Sequence, residues 1–343
     1  EVQVHWPLSE NAATYGSRME DVLRVKQGDS SMRVAVLLED RCQPKKCNSE
    51  CWAFCPPVRN GIECIVFDDD SGKPIVSESL CIGCGICVNK CPFDALIITN
   101  LPSELEGEMT HRYGENGFRL FRLPTPREEK VVGILGPNGM GKSTAINLLS
   151  GSTRPNLGDW ITGPKEWEDI LTSFPRGELR DYLQLISEQM ATVAVKPQYV
   201  DKLPNIFDGL VRELLDRVDE RGEMTSFANA LNIEHILERD LQSLSGGELQ
   251  RVAICATLLK EADVYFFDEP SSYLDIHERM RMVRIVQKLA DRGKRAIVVE
   301  HDLAILDVLC HLVHIVYGER AAYGIFTPAR STRTAINAYL DGF

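Results

Sequence analysis

Nine of the chain's cysteines, at positions 42, 47, 51, 55, 64, 81, 84, 87 and 91, crowd into fifty residues. So dense a set of thiols must be either oxidised in pairs or wrapped around metal, and each choice dictates how the backbone folds around it. Their order is Cys42-x4-Cys47-x3-Cys51-x3-Cys55-Pro56, then Cys81-x2-Cys84-x2-Cys87-x3-Cys91-Pro92. Residues 1–31 hold no basic stretch followed by an apolar block, so they do not read as an export signal. That favours a reducing compartment, cytoplasmic with the nucleus as a second location, and metal over disulfides. The remaining two, Cys255 and Cys310, lie far off among apolar residues.

The second run has the spacing of bacterial two-cluster ferredoxins, in which the fourth cysteine ligates the other cluster. Under that crossed rule one [4Fe–4S] cluster takes Cys81, Cys84, Cys87 and Cys55. The other takes Cys42, Cys47, Cys51 and Cys91, and Cys64 is left as a buried thiol nearby. Gly83 and Gly85 permit close backbone approach. The first run is more stretched, and two zinc sites are the alternative, since four-thiolate zinc is common inside cells. Zinc pairs, however, usually alternate C-x2-C units with long gaps.

Composition suits a water-soluble chain of two or three domains: 343 residues, 44% hydrophobic and 26% charged, with no apolar stretch near the roughly 20 residues that span a bilayer. A net charge of −12 argues against a generic nucleic-acid coat, although Lys45, Lys46, Arg59 and Lys90 fall among the cysteines and form a candidate local basic patch. Residues 1–31 read as a loose polar extension and 32–107 as the cluster domain, an α+β ferredoxin-like fold with strands near 33–38, 64–67, 74–76 and 95–98. From 108 to 343 the pattern is that of an α/β P-loop cassette with a mixed sheet and a helical subdomain. A helix–loop–helix is expected at about 164–190, where Trp167, Ile170, Leu171 and Phe174 fall at helical spacing, as do Leu179, Tyr182, Leu183 and Ile186.

The nucleotide motifs are complete for one cassette. Val131–Leu135 reads as a buried strand, and Gly136, Pro137, Asn138, Gly139, Met140, Gly141, Lys142, Ser143 and Thr144 follow it as a P-loop opening a helix. Backbone N–H groups there cradle phosphates, Lys142 neutralises the β and γ phosphates, and the Ser143 hydroxyl binds Mg²⁺. Val264–Asp268 reads as a strand ending in the magnesium-shell carboxylate of Asp268, followed by Glu269 to polarise the attacking water. Leu244-Ser245-Gly246-Gly247-Glu248 is the ATP-binding-cassette signature, whose serine and glycine amides meet a γ-phosphate. Gln198 matches the Q-loop and a further magnesium contact, Asp275 the D-loop, and His301 the switch histidine that senses the γ-phosphate.

Cysteine domain plus cassette resembles the ribosome-recycling iron–sulfur ATP-binding-cassette ATPases, class E, also called the RNase L inhibitor family. The matching segments include Cys42-Gln-Pro-Lys-Lys-Cys47, Leu80-Cys-Ile-Gly-Cys-Gly-Ile-Cys87, Thr110-His-Arg-Tyr113, Lys196-Pro-Gln-Tyr-Val-Asp201 and Asp268-Glu-Pro-Ser-Ser-Tyr-Leu-Asp275. The resemblance implies that Tyr113 and Phe118 stack on adenine and that the helix–loop–helix touches the small ribosomal subunit. It implies ATP, Mg²⁺ and two structural [4Fe–4S] clusters as cofactors, and no membrane. It implies cassette closure that moves the cluster domain, splits ribosomal subunits after termination and holds the small subunit for re-initiation. Partners would be the small subunit's rRNA and proteins, termination and recycling factors, and initiation factors. The family carries two cassettes; this chain shows one P-loop and one signature, and begins without Met, so it reads as half of a longer protein whose second cassette completes each site, with pairing to another molecule as the alternative. The competing class is an iron–sulfur ATPase that couples ATP to electron transfer, which the signature argues against.

Overall fold

The computed structural model describes residues 32–342, and the extension expected at 1–31 lies outside them. Two compact units emerge. The first runs to Met109 and adds Tyr113–Arg119 and Ala321–Tyr323; the second comprises Thr110–Arg112, Leu120–Arg320 and the chain from Gly324 onward.

In the first unit, β1 (Met32–Leu37) enters the cysteine region and β4 (Leu96–Leu101) leaves it. They pair antiparallel with Met32 opposite Leu101 and Leu37 opposite Leu96. A second two-stranded sheet joins β2 (Ile65–Phe67) to β3 (Pro74–Val76) across the acidic turn between the cysteine runs. Short helical turns at Glu50–Ala53, Pro56–Arg59 and Ile86–Lys90 carry cysteines between these strands. With so little regular structure, aliphatic residues alone do not make the interior. Cys55, Cys64, Cys81 and Cys87 lie in the core beside Val34, Val36, Ile65, Val76 and Leu96.

The second unit is built on a nine-stranded sheet in the order β5 (Met109–Arg112), β6 (Arg119–Phe121), β12 (Tyr323–Phe326), β11 (Leu312–Glu319), β7 (Val131–Leu135), β10 (Arg295–Val299), β9 (Val264–Asp268), β8 (Val193–Lys196), with β13 (Arg330–Ser331) beside β11. From β11 through β7, β10 and β9 to β8 all pairings are parallel. Every residue of β7 and β9 is buried, as parallel strands are when helices cover both faces.

The helices of this unit include α1 (Lys142–Leu149), α2 (Trp167–Ser173), α3 (Glu178–Ser187), α4 (Val211–Val218), α5 (Met224–Ala230), α6 (Gly246–Leu259), α7 (Ile276–Asp291), α8 (Leu303–Leu309) and α9 (Thr332–Leu340). The pair α2–α3 turns its apolar stripe inward, burying Ile170, Tyr182 and Leu183. The Tyr182 hydroxyl donates to the Leu149 carbonyl at 2.6 Å, fastening the pair to the end of α1. Between α3 and the signature, α4 and α5 pack on α6 through Val211, Leu215, Phe227 and Ala228. No helix among the described residues is long and apolar enough to cross a membrane.

Candidate nucleotide and cluster sites

The strand–loop–helix from Val131 to Leu149 places the P-loop at the carboxyl end of β7. Gly136 sits where no side chain fits, since a Cβ there would stand 2.3 Å from the Val316 carbonyl oxygen of β11. Gly141, at φ 84°, caps α1 in the left-handed region that glycine adopts without strain. The Lys142 ammonium is buried and donates to the carbonyls of Gly136 (2.7 Å) and Pro137 (3.1 Å) and to Asn138 Oδ1 (3.1 Å). Burial pushes its pKa down to about 8 against the pull of Glu269 and Asp268.

Parallel register brings the other motifs to the same edge. The Ser143 hydroxyl donates to Asp268 Oδ2 at 3.2 Å, and burial raises the Asp268 carboxyl above its usual range. Gln198 Nε2 donates to Glu269 Oε1 at 2.8 Å. His301 Nε2 lies 3.0 Å from the Lys142 ammonium and 3.3 Å from Glu269 Oε1. An ammonium can donate only to a neutral imidazole there, and burial followed by the Lys142 charge holds the histidine pKa below its usual value. Lys142, Ser143, Gln198, Asp268, Glu269 and His301 thus form one web. The hydroxyl, amide and carboxylate oxygens around Ser143, Gln198 and Asp268 are hard donors of the kind Mg²⁺ takes.

Ser245 caps α6, exchanging hydrogen bonds with Glu248: its hydroxyl donates to Glu248 Oε2 at 2.7 Å, and the Glu248 amide returns to Ser245 Oγ at 3.4 Å. Gly246 and Gly247 pack on the D-loop, where a Cβ on Gly247 would meet the Tyr273 carbonyl at 2.8 Å. Asp275 caps α7, accepting from the amides of His277 and Glu278, both at 2.9 Å. Tyr113 and Phe118 belong to the first unit, closing a turn in which the Tyr113 amide donates to the Phe118 carbonyl at 3.2 Å.

Three residues that sequence reading passed over complete the web. Lys196, fully buried, donates to the carbonyls of Asp268 (2.9 Å) and Glu269 (3.5 Å). Gln250 of α6, also fully buried, donates to the Glu269 carbonyl at 2.8 Å. Both hold a backbone in a rare conformation, because Glu269 has φ 46°. Glu300 accepts from the Ser271 amide at 2.7 Å. The available signal was a polar residue at a position where the apolar pattern calls for burial.

The cysteines divide between two cavities. Cys42, Cys47, Cys51 and Cys91 line one, together with Leu37, Pro44, Phe67 and Leu96. Cys55, Cys81, Cys84 and Cys87 line the other, with Cys64, Ala35, Ile65 and Val76. Each cavity therefore draws its thiols from both runs, because the β1–β4 pairing folds one run against the other. Backbone amides already face sulfur: Gly83 N donates to Cys81 Sγ and Ala95 N to Cys91 Sγ, both at 3.4 Å. Among the described residues no three His, Cys, Asp or Glu side chains gather as a single-ion site.

Burial and mutual contact set the acid–base state of these thiols. Burial raises Cys51 to about 11 and Cys87 to about 12, with neighbouring cysteines adding to both. Cys55 falls to about 7 because Cys64 hydrogen-bonds it, while Cys64 itself is pushed strongly up. At Cys51 and Cys87 burial disfavours the thiolate, a cost that a bound cationic centre would offset. Cys64 lines the same cavity as Cys55, Cys81, Cys84 and Cys87.

Comparison with known proteins agrees with this geometry. Residues 125–272 match the ABC transporter family, 32–63 match a possible Fer4-like domain in RNase L inhibitor, RLI, and 74–97 match the 4Fe-4S binding domain. The chain is 47% identical over 315 residues to ABC transporter E family member 1 of Arabidopsis thaliana, covering 92% of this chain and 52% of that protein. The chain belongs to the class E, RNase L inhibitor family of ATP-binding-cassette proteins.

Translation initiation factor RLI1 of Saccharomyces cerevisiae is 46% identical over 319 residues, again across 92% of this chain and 52% of the relative. A solved structure described as a model of ribosome-bound archaeal Pelota and ABCE1 superposes with a TM-score of 0.83 at 48% identity, covering 91% of this chain and 52% of that one. The chain spans about half the length of the curated relatives it matches. As the family's cofactors, [4Fe–4S] clusters, ATP and Mg²⁺ suit the two thiol cavities and the P-loop web respectively.

Proposed function

We propose that this chain is one half of an ATP-driven ribosome-recycling ATPase, in which nucleotide-dependent pairing of two cassettes displaces the cluster unit and parts the ribosomal subunits. The observation that carries the reading is the presence, on one chain, of two cysteine-lined cavities, one with four thiols and one with five, and a cassette web in which Lys142, Ser143, Gln198, Asp268, Glu269 and His301 converge. The names of relatives support it, one a translation initiation factor and one described as ribosome-bound with Pelota.

In the reaction Lys142 would exchange its own loop carbonyls for the β and γ phosphates, and Ser143, Gln198 and Asp268 would hold Mg²⁺. When bound, the metal supplies charge neutralisation for the leaving phosphates. Glu269, aimed by Gln198 and held in its left-handed backbone by Lys196 and Gln250, would accept the hydrogen bond of the attacking water. His301 would give up its Lys142 contact and, with a proton now on Nε2, donate to the γ-phosphate. A signature such as Ser245–Gly247 serves the nucleotide of the opposing cassette, so a second cassette completes the site. The thiol cavities would hold structural clusters that stiffen the first unit.

The test is sedimentation of the intact protein with purified small ribosomal subunits, with and without a non-hydrolysable ATP analogue. Co-sedimentation that depends on the analogue supports the reading; equal absence in both conditions removes it. Termination, recycling and initiation factors, and a cytoplasmic site of action, belong to the same proposal.

A further inference from the structure

Helix α7 leaves the D-loop at Asp275 and buries Met282, Val283, Ile285, Val286, Leu289 and Ala290 against the cassette. Its opposite face is a line of basic side chains. His277, Arg281, Arg284, Lys288 and Arg292 follow one another at steps of three or four residues, and all are exposed. At 1.5 Å per residue the stripe is about 22 Å long, with a basic group every 5 Å or so. Beside it lies an open groove of about 460 Å³, walled by His277, Arg281, Arg284 and Lys288 and floored by Ala230 of α5 and by Met280 and Ile285. The groove continues past Ser226, Lys288 and Arg292.

A solvated helix face ordinarily mixes signs, because like charges at i, i+4 destabilise a helix by a few tenths of a kcal/mol per pair. Here the nearby acids are mostly committed elsewhere. Glu278 pairs with Arg251, and Glu223 is shared between Arg221 and Arg292, leaving Asp291 as the other exposed carboxylate on the helix. Among the described residues Arg281, Arg284 and Lys288 have no hydrogen bond or ion pair, on a chain whose net charge is −12. The concentration of unneutralised positive charge on one rigid face is therefore local and directional.

We propose that this face of α7 and its groove form a docking surface for the phosphate backbone of double-helical RNA. The chemistry selects that partner. Guanidinium forks match phosphate oxygens in two-point contacts, and a linear series of cations at near-regular spacing suits a polymer of evenly repeated monoanions. The groove floor is aliphatic and no aromatic ring is exposed along the stripe, so there is no platform for stacking unpaired bases; backbone and groove shape are what remain to be read. The inference rests on the recycling reading only for the source of the RNA, the small ribosomal subunit. Since α7 begins at the D-loop cap Asp275, RNA held there would lie on the helix that leads directly out of the nucleotide-dependent edge of the cassette.

The test uses the intact protein and its triple variant R281A/R284A/K288A. Binding of a fluorescein-labelled 20-base-pair RNA duplex of mixed sequence is followed by anisotropy from 50 to 200 mM NaCl, with a twelve-residue poly-glutamate peptide as the second probe. Loss of three phosphate contacts should flatten the slope of log K against log salt by about 2 to 3 and weaken duplex binding by about 10- to 100-fold at 100 mM. The thermal midpoint and ATP affinity should stay where they are. Unchanged duplex affinity and slope in the variant overturn the proposal, as does a loss of peptide binding as large as the loss of RNA binding, which would assign the face to an acidic protein. If the native protein does not sediment with small subunits while the variant still loses duplex binding, the recycling reading fails and this surface stands. If both proteins bind the duplex alike while the native one sediments, the reverse holds.

Discussion

Lowering the pH should unlock the strand beside the P-loop through a single residue, His314. It lies on β11 opposite Ile134 of β7 and is 2% exposed. The Thr125 amide donates to its Nε2 at 3.2 Å, so the ring proton resides on Nδ1, which donates to the Thr327 carbonyl at 2.7 Å. A second proton has to go to Nε2 and break the Thr125 bond inside an apolar wall. Burial accordingly holds the imidazole pKa at about 4, against 6.5 for a free histidine. The unfolded chain takes up that proton before the folded one does. The contribution of the neutral ring is thus complete above pH 6.5 and is lost as pH falls from 6.5 through 4. At 1.36 kcal/mol per pH unit the full loss is on the order of 3 kcal/mol, of which about 2 kcal/mol is gone by pH 5. Urea unfolding of the native protein and of His314→Gln at pH 7.5, 6 and 5 isolates this residue from other acid-sensitive groups. The glutamine variant starts less stable, and the gap between the two should narrow by about 2 kcal/mol over that range. A gap that stays constant to pH 5 would refute the assignment of a buried neutral ring.

Other expectations follow from the same geometry. Replacing Glu269 by Gln in the intact protein, assembled with the opposing cassette that the proposed function calls for, should leave ATP affinity within about twofold while cutting phosphate release at this site by about 100-fold or more; normal release would remove Glu269 from the water-activating role. Gly136→Ala forces a Cβ to within 2.3 Å of the Val316 carbonyl and should cost about 1–3 kcal/mol and most ATP binding, whereas Gly107→Ala, with nothing within 4 Å, should change neither. Cys64→Ala should keep both clusters, about eight iron atoms per chain and the broad absorption near 400 nm, while Cys55→Ala should drop to about four. Equal iron in those two variants would erase the distinction between ligand and neighbour.

The P-loop, the strand ending in Asp268 and the signature were legible in the sequence because each is a short, contiguous segment whose chemistry demands its residue types. The strands at β1, β2, β3 and β4 were equally local. What long-range packing creates was harder to see. Lys196 reads as an ordinary strand-end lysine until parallel pairing with β9 carries its ammonium beneath the carbonyls of Asp268 and Glu269. Gln250 reads as one more polar residue of the signature helix until packing buries it against the same turn. His314 gave no signal at all, since its role depends on Thr125, nearly two hundred residues away. The α7 stripe was written plainly in the spacing of its arginines, yet only the fate of the neighbouring acids separates it from an ordinary solvated face.

The first unit places cysteine where most small domains place leucine. Its interior therefore cannot close by hydrophobic collapse alone, and delivery of inorganic iron and sulfide becomes a step in its own maturation. A cell short of either, or under oxidative attack, would feel the deficit as a shortage of competent copies of this protein. The supply of a metal would then set how many copies of the chain reach a working fold.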